Sequence, residues 1–189
     1  EYWFTCGSTY NYLTVNRIED LADDAGVTLD LRPFYLGKIF RESGYWPFHP
    51  DTPKMNYMWD DIERTAATMG LAPDLPAPYP SPETDRANRV AWTMITMGFG
   101  LSWVKESYKS WFENGLLVGQ DANLDQSLNA LGLNRDVGLG REDEADQALL
   151  AQTEIAKSKG IFGAPTFVVG DEIYWGNDRL EQALAAAQV

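Results

Sequence analysis

Sequence patterns typical of β-strands occur only at the two ends of this 189-residue chain. Near the N-terminus, residues 1–6 (EYWFTC) are aromatic and β-prone, and residues 27–33 (VTLDLRP) alternate apolar with polar side chains. Between them, apolar residues recur at helical spacing from Tyr12 to Ala22, and Gly26 is placed to end that helix. Strand, helix and strand form a βαβ unit, so the two strands should be parallel.

The other end of the chain predicts a β-hairpin and then a helix. Residues 166–169 (TFVV) and 172–175 (EIYW) are joined by a two-residue Gly-Asp connection, which is typical of an antiparallel hairpin with a type II′ turn. A helix should open at Asn177 and Asp178. Asp178 and Glu181 have the spacing of a capping box.

The segment between these two ends shows no convincing strand pattern. Helices are predicted at residues 54–68, at 83–113 as one long helix or a pair, at 124–131 and at 141–158. Residues 72–82 contain five prolines and should form an extended loop.

The order of the elements predicts the fold class. It is β-α-β, a helical block, then β-β-α, which is the order of a thioredoxin-like α/β fold with a large all-helical insertion. Residues 1–38 plus 159–189 would form the thioredoxin-like domain, and residues 39–158 the inserted helical domain. The length suits one core with a packed insertion better than two independent domains.

Charge and hydropathy limit the partners. The formal net charge is −13, and no basic patch of the kind needed for nucleic acid or an anionic membrane surface is present in the sequence. An anionic substrate must therefore meet a local positive site. The sequence has neither a run of about 18 apolar residues nor the basic start of a signal peptide, so we expect a cytoplasmic protein.

The single cysteine, Cys6, limits redox chemistry. A dithiol pair within these residues is impossible, and residues 8–11 read Ser-Thr-Tyr-Asn at the strand-to-helix junction, where a redox-active thioredoxin-like protein carries Cys-x-x-Cys. We expect Cys6 to be a small core residue and not a reactive thiol. The lone His49 cannot form a metal site and should lie at the surface or in a pocket wall.

Three positions could carry chemistry. Ser8 could cap the first helix or contact a ligand there. Pro165 leads into a strand, where this fold has a cis-proline, and Ala164 before it could pair its backbone with an extended peptide. Asn177 and Asp178 could be an ordinary helix start, or they could hold the head group of an amino acid.

Three segments resemble a known family, the 2-hydroxychromene-2-carboxylate isomerases. This family is related to the kappa-class glutathione transferases and more distantly to the DsbA-type disulfide oxidoreductases. The segments are residues 160–184 (GIFGAPTFVVGDEIYWGNDRLEQAL), 3–13 (WFTCGSTYNYL) and 31–44 (LRPFYLGKIFRESG). The resemblance implies a glutathione site made by Ser8 (sulfur), Ala164 (cysteinyl backbone), Pro165 (cis-proline), Asn177 and Asp178 (γ-glutamyl end) and Lys54 (glycine carboxylate). Thr9 stands where the family usually has proline, and Tyr45 or Trp46 where it often has asparagine.

The resemblance also implies a function. We expect a glutathione-dependent isomerase of an unsaturated carboxylic acid, with an aromatic acid favoured, acting by reversible thiolate addition in aromatic catabolism, and we expect a homodimer. A kappa-class-like glutathione transferase and a non-catalytic glutathione-binding protein are the alternatives. The candidate substrate contacts are Tyr10, Asn11, Tyr45, Trp46, Arg86 and Asn88.

Overall fold

A four-stranded mixed sheet organises the computed structural model, which describes residues 1–188. The strands are β1 (Tyr2–Phe4), β2 (Leu31–Pro33), β3 (Thr166–Val169) and β4 (Glu172–Trp175). Their order across the sheet is β2-β1-β3-β4. β1 pairs parallel with β2 and antiparallel with β3, and β3 and β4 form the hairpin. The thioredoxin-like fold class is confirmed.

The helices surround this sheet. They are α1 (Asn11–Val15), α2 (Ile18–Ala25), α3 (Leu36–Ser43), α4 (Pro53–Thr68), α5 (Thr84–Thr96), α6 (Gly100–Phe112), α7 (Asp121–Asn129), α8 (Arg135–Leu139), α9 (Glu142–Ser158) and α10 (Leu180–Ala187). A 3₁₀ turn, Asn177–Arg179, precedes α10. Within residues 1–188, no helix has the length and apolar character needed to cross a lipid bilayer.

Several element predictions were inaccurate. The first helix is divided into α1 and α2 around Arg17, and only the last three residues of the predicted second strand pair with the short β1. The helices α3 and α8 were not predicted. The capping box was wrong: α10 has no side-chain cap, because Glu181 binds Arg17 and Asp178 binds Arg179.

The helical insertion and the sheet share one continuous hydrophobic core. Tyr12 of α1 stacks on Phe112 of α6 with 4.4 Å between ring centroids, and Met58 of α4 is fully buried in the same cluster. This packing brings the loop after β1 against the insertion, and the candidate site lies at that junction. The division into domains at residues 38/39 and 158/159 stays a prediction.

Candidate functional site

A cleft of about 1350 Å³ lies between the thioredoxin-like elements and the helical insertion. Five regions form its walls: the loop after β1, helix α3 with the loop that follows it, helix α4, residues 79–85, and the two segments on either side of the β3–β4 hairpin. Nine of the predicted site residues line it, namely Ser8, Tyr10, Tyr45, Trp46, Lys54, Ala164, Pro165, Asn177 and Asp178.

Ser8 lies in the loop between β1 and α1 and is half-buried in the cleft. Helix α1 begins three residues later, at Asn11, and has no side-chain cap, so Ser8 is not its capping residue. The Ser8 hydroxyl instead donates a 2.7 Å hydrogen bond to the carbonyl oxygen of Ala164. That bond joins two wall segments 156 residues apart in sequence.

Helices of the insertion hold the Ser8 loop in place. The buried Tyr108 hydroxyl of α6 lies 3.0 Å from the carbonyl oxygen of Thr5 and 2.8 Å from that of Ser8. Asn88 of α5 accepts a 2.8 Å hydrogen bond from the Cys6 amide and donates one of 3.0 Å to the Thr5 hydroxyl. Buried hydrogen bonds from α5 and α6 therefore fix the backbone around Ser8.

Three predicted substrate contacts do not line the cleft, which corrects their assignment. Asn88 is fully buried in the contacts just described. Asn11 is also fully buried and donates to the Thr5 carbonyl oxygen at 3.0 Å. Arg86 is turned towards α7, where it binds Asp121 at 2.7 Å. In each case a protein group satisfies the polar side chain: the Thr5 carbonyl for Asn11, the Cys6 amide for Asn88 and the Asp121 carboxylate for Arg86.

The peptide bond between Ala164 and Pro165 is cis, as predicted. Within residues 1–188, no hydrogen bond engages the backbone amide of Ala164, although Ala164 borders the cleft. Gly163 is required next to it, because a Cβ there would lie 2.3 Å from the indole nitrogen of Trp175. The Ala164 amide is thus an unpaired backbone donor in a segment that borders the cleft.

Asn177 and Asp178 behave differently from each other. Asn177 is buried, and its side-chain oxygen accepts hydrogen bonds from Thr14 (3.1 Å) and Arg17 (3.2 Å). Asp178 is exposed in the cleft wall and pairs with its neighbour Arg179 at 2.9 Å. Asn177 therefore anchors the segment, and Asp178 supplies an accessible carboxylate.

Lys54 lies in the first turn of α4, next to the loop that carries Tyr45. Its ammonium group donates a 3.1 Å hydrogen bond to the Tyr45 hydroxyl and lies 5.4 Å from the Phe48 ring centroid. Lys54 is exposed, and none of the ion pairs within residues 1–188 includes it. It can therefore receive an anionic group in the cleft.

Five of the aromatic side chains that line the cleft are exposed. They are Tyr45, Trp46, Tyr57, Phe162 and Trp175. Phe40 packs edge-on against both Tyr45 and Trp46, at centroid distances of 6.1 and 5.6 Å. Clustered aromatic surface of this kind is typical of a site for a flat organic ligand.

Three charged residues of the cleft were not predicted from the sequence: Arg41 of α3, Asp61 of α4 and Asp85 of α5. Arg41 and Asp85 lie close together. They face each other with 3.8 Å between the guanidinium and the carboxylate. Burial raises the pKa of Asp85 above its usual range, against the opposing effect of Arg41 and Arg89. Gly44, which ends α3 with a left-handed backbone (φ 68°), was the sequence signal that could have identified this helix and so placed Arg41.

Tyr10 and Cys6 lie near Ser8 in the sequence, but only Tyr10 lines the cleft. Burial and the neighbouring Asp61 raise the pKa of Tyr10, whose hydroxyl donates to the Asp61 carboxylate at 3.0 Å. Cys6 is 1% exposed, does not line the cleft, and has a pKa raised by burial. It is the predicted core residue, with no access to a ligand in the cleft.

Known proteins match the chain over nearly its whole length. An enzyme named 2-hydroxychromene-2-carboxylate isomerase from Pseudomonas putida is 28% identical over 188 residues, covering 95% of this chain and 89% of the relative. One of the same name from Sphingobium xenophagum is 27% identical over 197 residues, covering 96% and 93%. The solved structure of a selenomethionine 2-hydroxychromene-2-carboxylate isomerase superposes with a TM-score of 0.84 at 26% identity, covering 98% of this chain and 92% of that one. The sequence profile of the DSBA-like thioredoxin domain matches residues 1–188, and the chain belongs to that family.

Proposed function

We propose that the protein is a glutathione-dependent isomerase of an unsaturated aromatic carboxylic acid. The observation that carries the proposal is the contact between the Ser8 hydroxyl and the segment Ala164–Pro165 in one large cleft. In addition, the relatives named isomerase resemble this chain from end to end.

The size of the cleft supports binding of two molecules. Sites for single small ligands occupy about 300–1000 Å³, and this cleft measures about 1350 Å³. One part has peptide-binding character, around Ser8 and Ala164, and another part is lined by aromatic side chains. A peptide cofactor and a flat second substrate would fit this division.

The polar groups of the cleft fit the chemistry of glutathione. Glutathione has peptide groups, two carboxylates and an ammonium group. The unpaired Ala164 amide can donate to a peptide carbonyl, Lys54 can bind a carboxylate, and Asp178 can bind the ammonium group.

When bound, glutathione supplies a thiolate that can add reversibly to a conjugated double bond. A free thiol has a pKa of about 8.5, and lowering it by about two units requires ~2.7 kcal/mol. A hydrogen bond to a charged group contributes about 1.5–3 kcal/mol, so the Ser8 hydroxyl can supply part of this free energy. Because a hydroxyl has one proton, Ser8 must give up its bond to Ala164, which reduces the net gain.

Calorimetric titration with glutathione tests the proposal. We expect the parent to bind glutathione. The pKa of the bound thiol is measured from its ultraviolet thiolate absorbance as a function of pH, and we expect Ser8→Ala to raise it. Ser158→Ala is the matched control, since its exposed hydroxyl bonds only to the Ile155 carbonyl within α9. A parent that does not bind glutathione contradicts the function, and an unchanged thiol pKa in Ser8→Ala contradicts the role of Ser8.

Product analysis separates the isomerase from the other candidate functions. The parent is incubated with glutathione and 2-hydroxychromene-2-carboxylate, the compound in the relatives' name. We expect isomerised product and glutathione recovered unchanged, and no product when glutathione is omitted. A stable conjugate would identify a transferase, and binding without turnover a non-catalytic binding protein.

A further inference from the structure

We propose that Arg41, together with Phe40, Tyr45 and Trp46 beside it, forms the subsite that binds the carboxylate and the ring of the second substrate. This inference rests on the proposed function and extends it by naming the residues that select the substrate class. None of the sequence-based candidates supplied a cation for this purpose, because Arg86 is held outside the cleft.

The charges in the cleft lead to Arg41. Among residues 1–188, Arg41 and Lys54 are the two cations that line it. The proposed function assigns Lys54 to the glycine carboxylate of glutathione and the Asn177–Asp178 segment to its γ-glutamyl end, so Arg41 remains for an anion of the second substrate. A guanidinium is well suited to that role, because its planar fork can bind both oxygens of a carboxylate.

Arg41 is also available to a ligand. The Arg41 side chain is 64% exposed, and its nearest carboxylate, Asp85, lies at 3.8 Å, beyond hydrogen-bond distance. By comparison, Arg86 and Arg135 approach their carboxylates to 2.7 and 2.5 Å. An exposed pair as loose as that between Arg41 and Asp85 contributes little to stability, so a structural role alone explains Arg41 poorly.

The aromatic side chains lie close to Arg41 in the sequence and line the same cleft. Phe40 precedes it on α3, and Phe40 holds Tyr45 and Trp46 edge-on. The Arg41 guanidinium lies over Gly37, one turn earlier in α3, where a Cβ would be 3.4 Å from it. Gly37 also lines the cleft. A ring with a carboxylate substituent could thus contact the aromatic faces and the guanidinium together.

The subsite adjoins the loop that carries Ser8. Thr84, next to Asp85, packs so tightly on Gly7 that a Cβ there would lie 2.4 Å from the Thr84 hydroxyl oxygen. Gly7 immediately precedes Ser8, and Asp85 faces Arg41. A substrate held by Arg41 would therefore lie on the side of the cleft next to the proposed sulfur position.

Equilibrium binding of trans-cinnamate and its neutral amide, trans-cinnamide, tests the subsite through quenching of tryptophan fluorescence. We expect the parent to bind cinnamate at least about tenfold more tightly than cinnamide. Arg41→Met should reduce this ratio to about one without weakening cinnamide binding, and Arg41→Lys should keep part of it. Arg32→Met, which removes an arginine paired locally with Asp30 outside the cleft, should behave as the parent.

The outcomes separate this inference from the proposed function. A parent-like cinnamate preference in Arg41→Met overturns the subsite, as does a parent that binds the two probes equally or binds neither. Glutathione titration of the parent and Arg41→Met should give equal affinities. Loss of glutathione binding in the parent, with the cinnamate preference intact, would overturn the proposed function and leave the subsite standing.

Discussion

The identity of single residues in the Ser8 loop follows from contacts with the insertion. Thr9 occupies the position where the isomerases it resembles usually have proline. It is buried, and its hydroxyl donates to the Met58 sulfur of α4 at 3.0 Å. Threonine thus adds a contact between the loop and the insertion that proline could not make.

Tyr108 should support both stability and the geometry of Ser8. Tyr108→Phe removes the hydroxyl that lies against the Thr5 and Ser8 carbonyl oxygens, and the loss of this buried hydrogen bonding should cost about 0.5–1.5 kcal/mol, since both oxygens keep other donors. We expect urea unfolding to show that loss and calorimetry to show weaker glutathione binding. Tyr174→Phe is the control, because its hydroxyl contacts only the exposed Glu172, and it should change stability by less than about 0.5 kcal/mol. Equal behaviour of the two variants would contradict the role of Tyr108.

Asp85 should make the protein less stable as the pH rises. The Asp85 side chain is 43% exposed, and its partial burial raises the folded pKa above the unfolded value; Asp146 adds to this, while Arg41 and Arg89 oppose it. Between the unfolded and the folded pKa of Asp85, the folded state binds more protons than the unfolded state. The free energy of unfolding therefore falls as the pH rises through this range, and it falls no further above the folded pKa. Asp85→Asn should therefore have a higher melting temperature than the parent at pH 7, and the difference should vanish near pH 3.

Thermal unfolding across this pH range tests the assignment. The control is Asp60→Asn, at an exposed position of α4 outside the cleft, for which we expect no comparable pH-dependent gain. A lower melting temperature for Asp85→Asn at pH 7 would mean that attraction to Arg41 and Arg89 outweighs the effect of burial.

At the level of elements, sequence patterns predicted correctly those strands and helices whose bounds depend on neighbouring residues. The hairpin follows from its Gly-Asp connection, with Gly170 at φ 58°, and α4 begins within one residue of the predicted start because Thr52 caps it at Pro53. Elements decided by distant contacts were predicted less well. Glu181 left the expected capping box because Arg17, 164 residues away, binds it.

The site residues likewise differ in how well the sequence could predict their positions. Ser8 and Ala164 were placed correctly in one cleft because the element order of the fold brings their segments together. Asn11 and Asn88 could not be separated from cleft residues by sequence, since their burial depends on partners such as the Thr5 carbonyl and the Cys6 amide. Arg41 was missed because no helix was predicted over residues 36–43.

At the level of the whole molecule, the shared core implies that the sheet and the insertion unfold together. Phe112 of the insertion is fully buried, stacks on Tyr12 and packs near Trp111 and Tyr108. Phe112→Ala should cost about 3–5 kcal/mol by leaving a cavity. Because the sheet depends on the same cluster, that loss should reach β1 and β3 as well as α6.

Native-state hydrogen exchange measured on peptides tests this cooperativity. In the parent, the slowest amides of β1, β3 and α6 should report one common free energy of opening, and Phe112→Ala should lower all three by the same amount. Phe162→Ala is the control, since this side chain is 56% exposed in the wall of the cleft and its loss should leave those amides unchanged. A decrease confined to α6 would show that the insertion opens independently of the sheet. In that case Asn88 of α5 and Tyr108 of α6 could release the Ser8 loop without global unfolding. Ligand binding would then be expected to slow exchange of the α5 and α6 amides in particular.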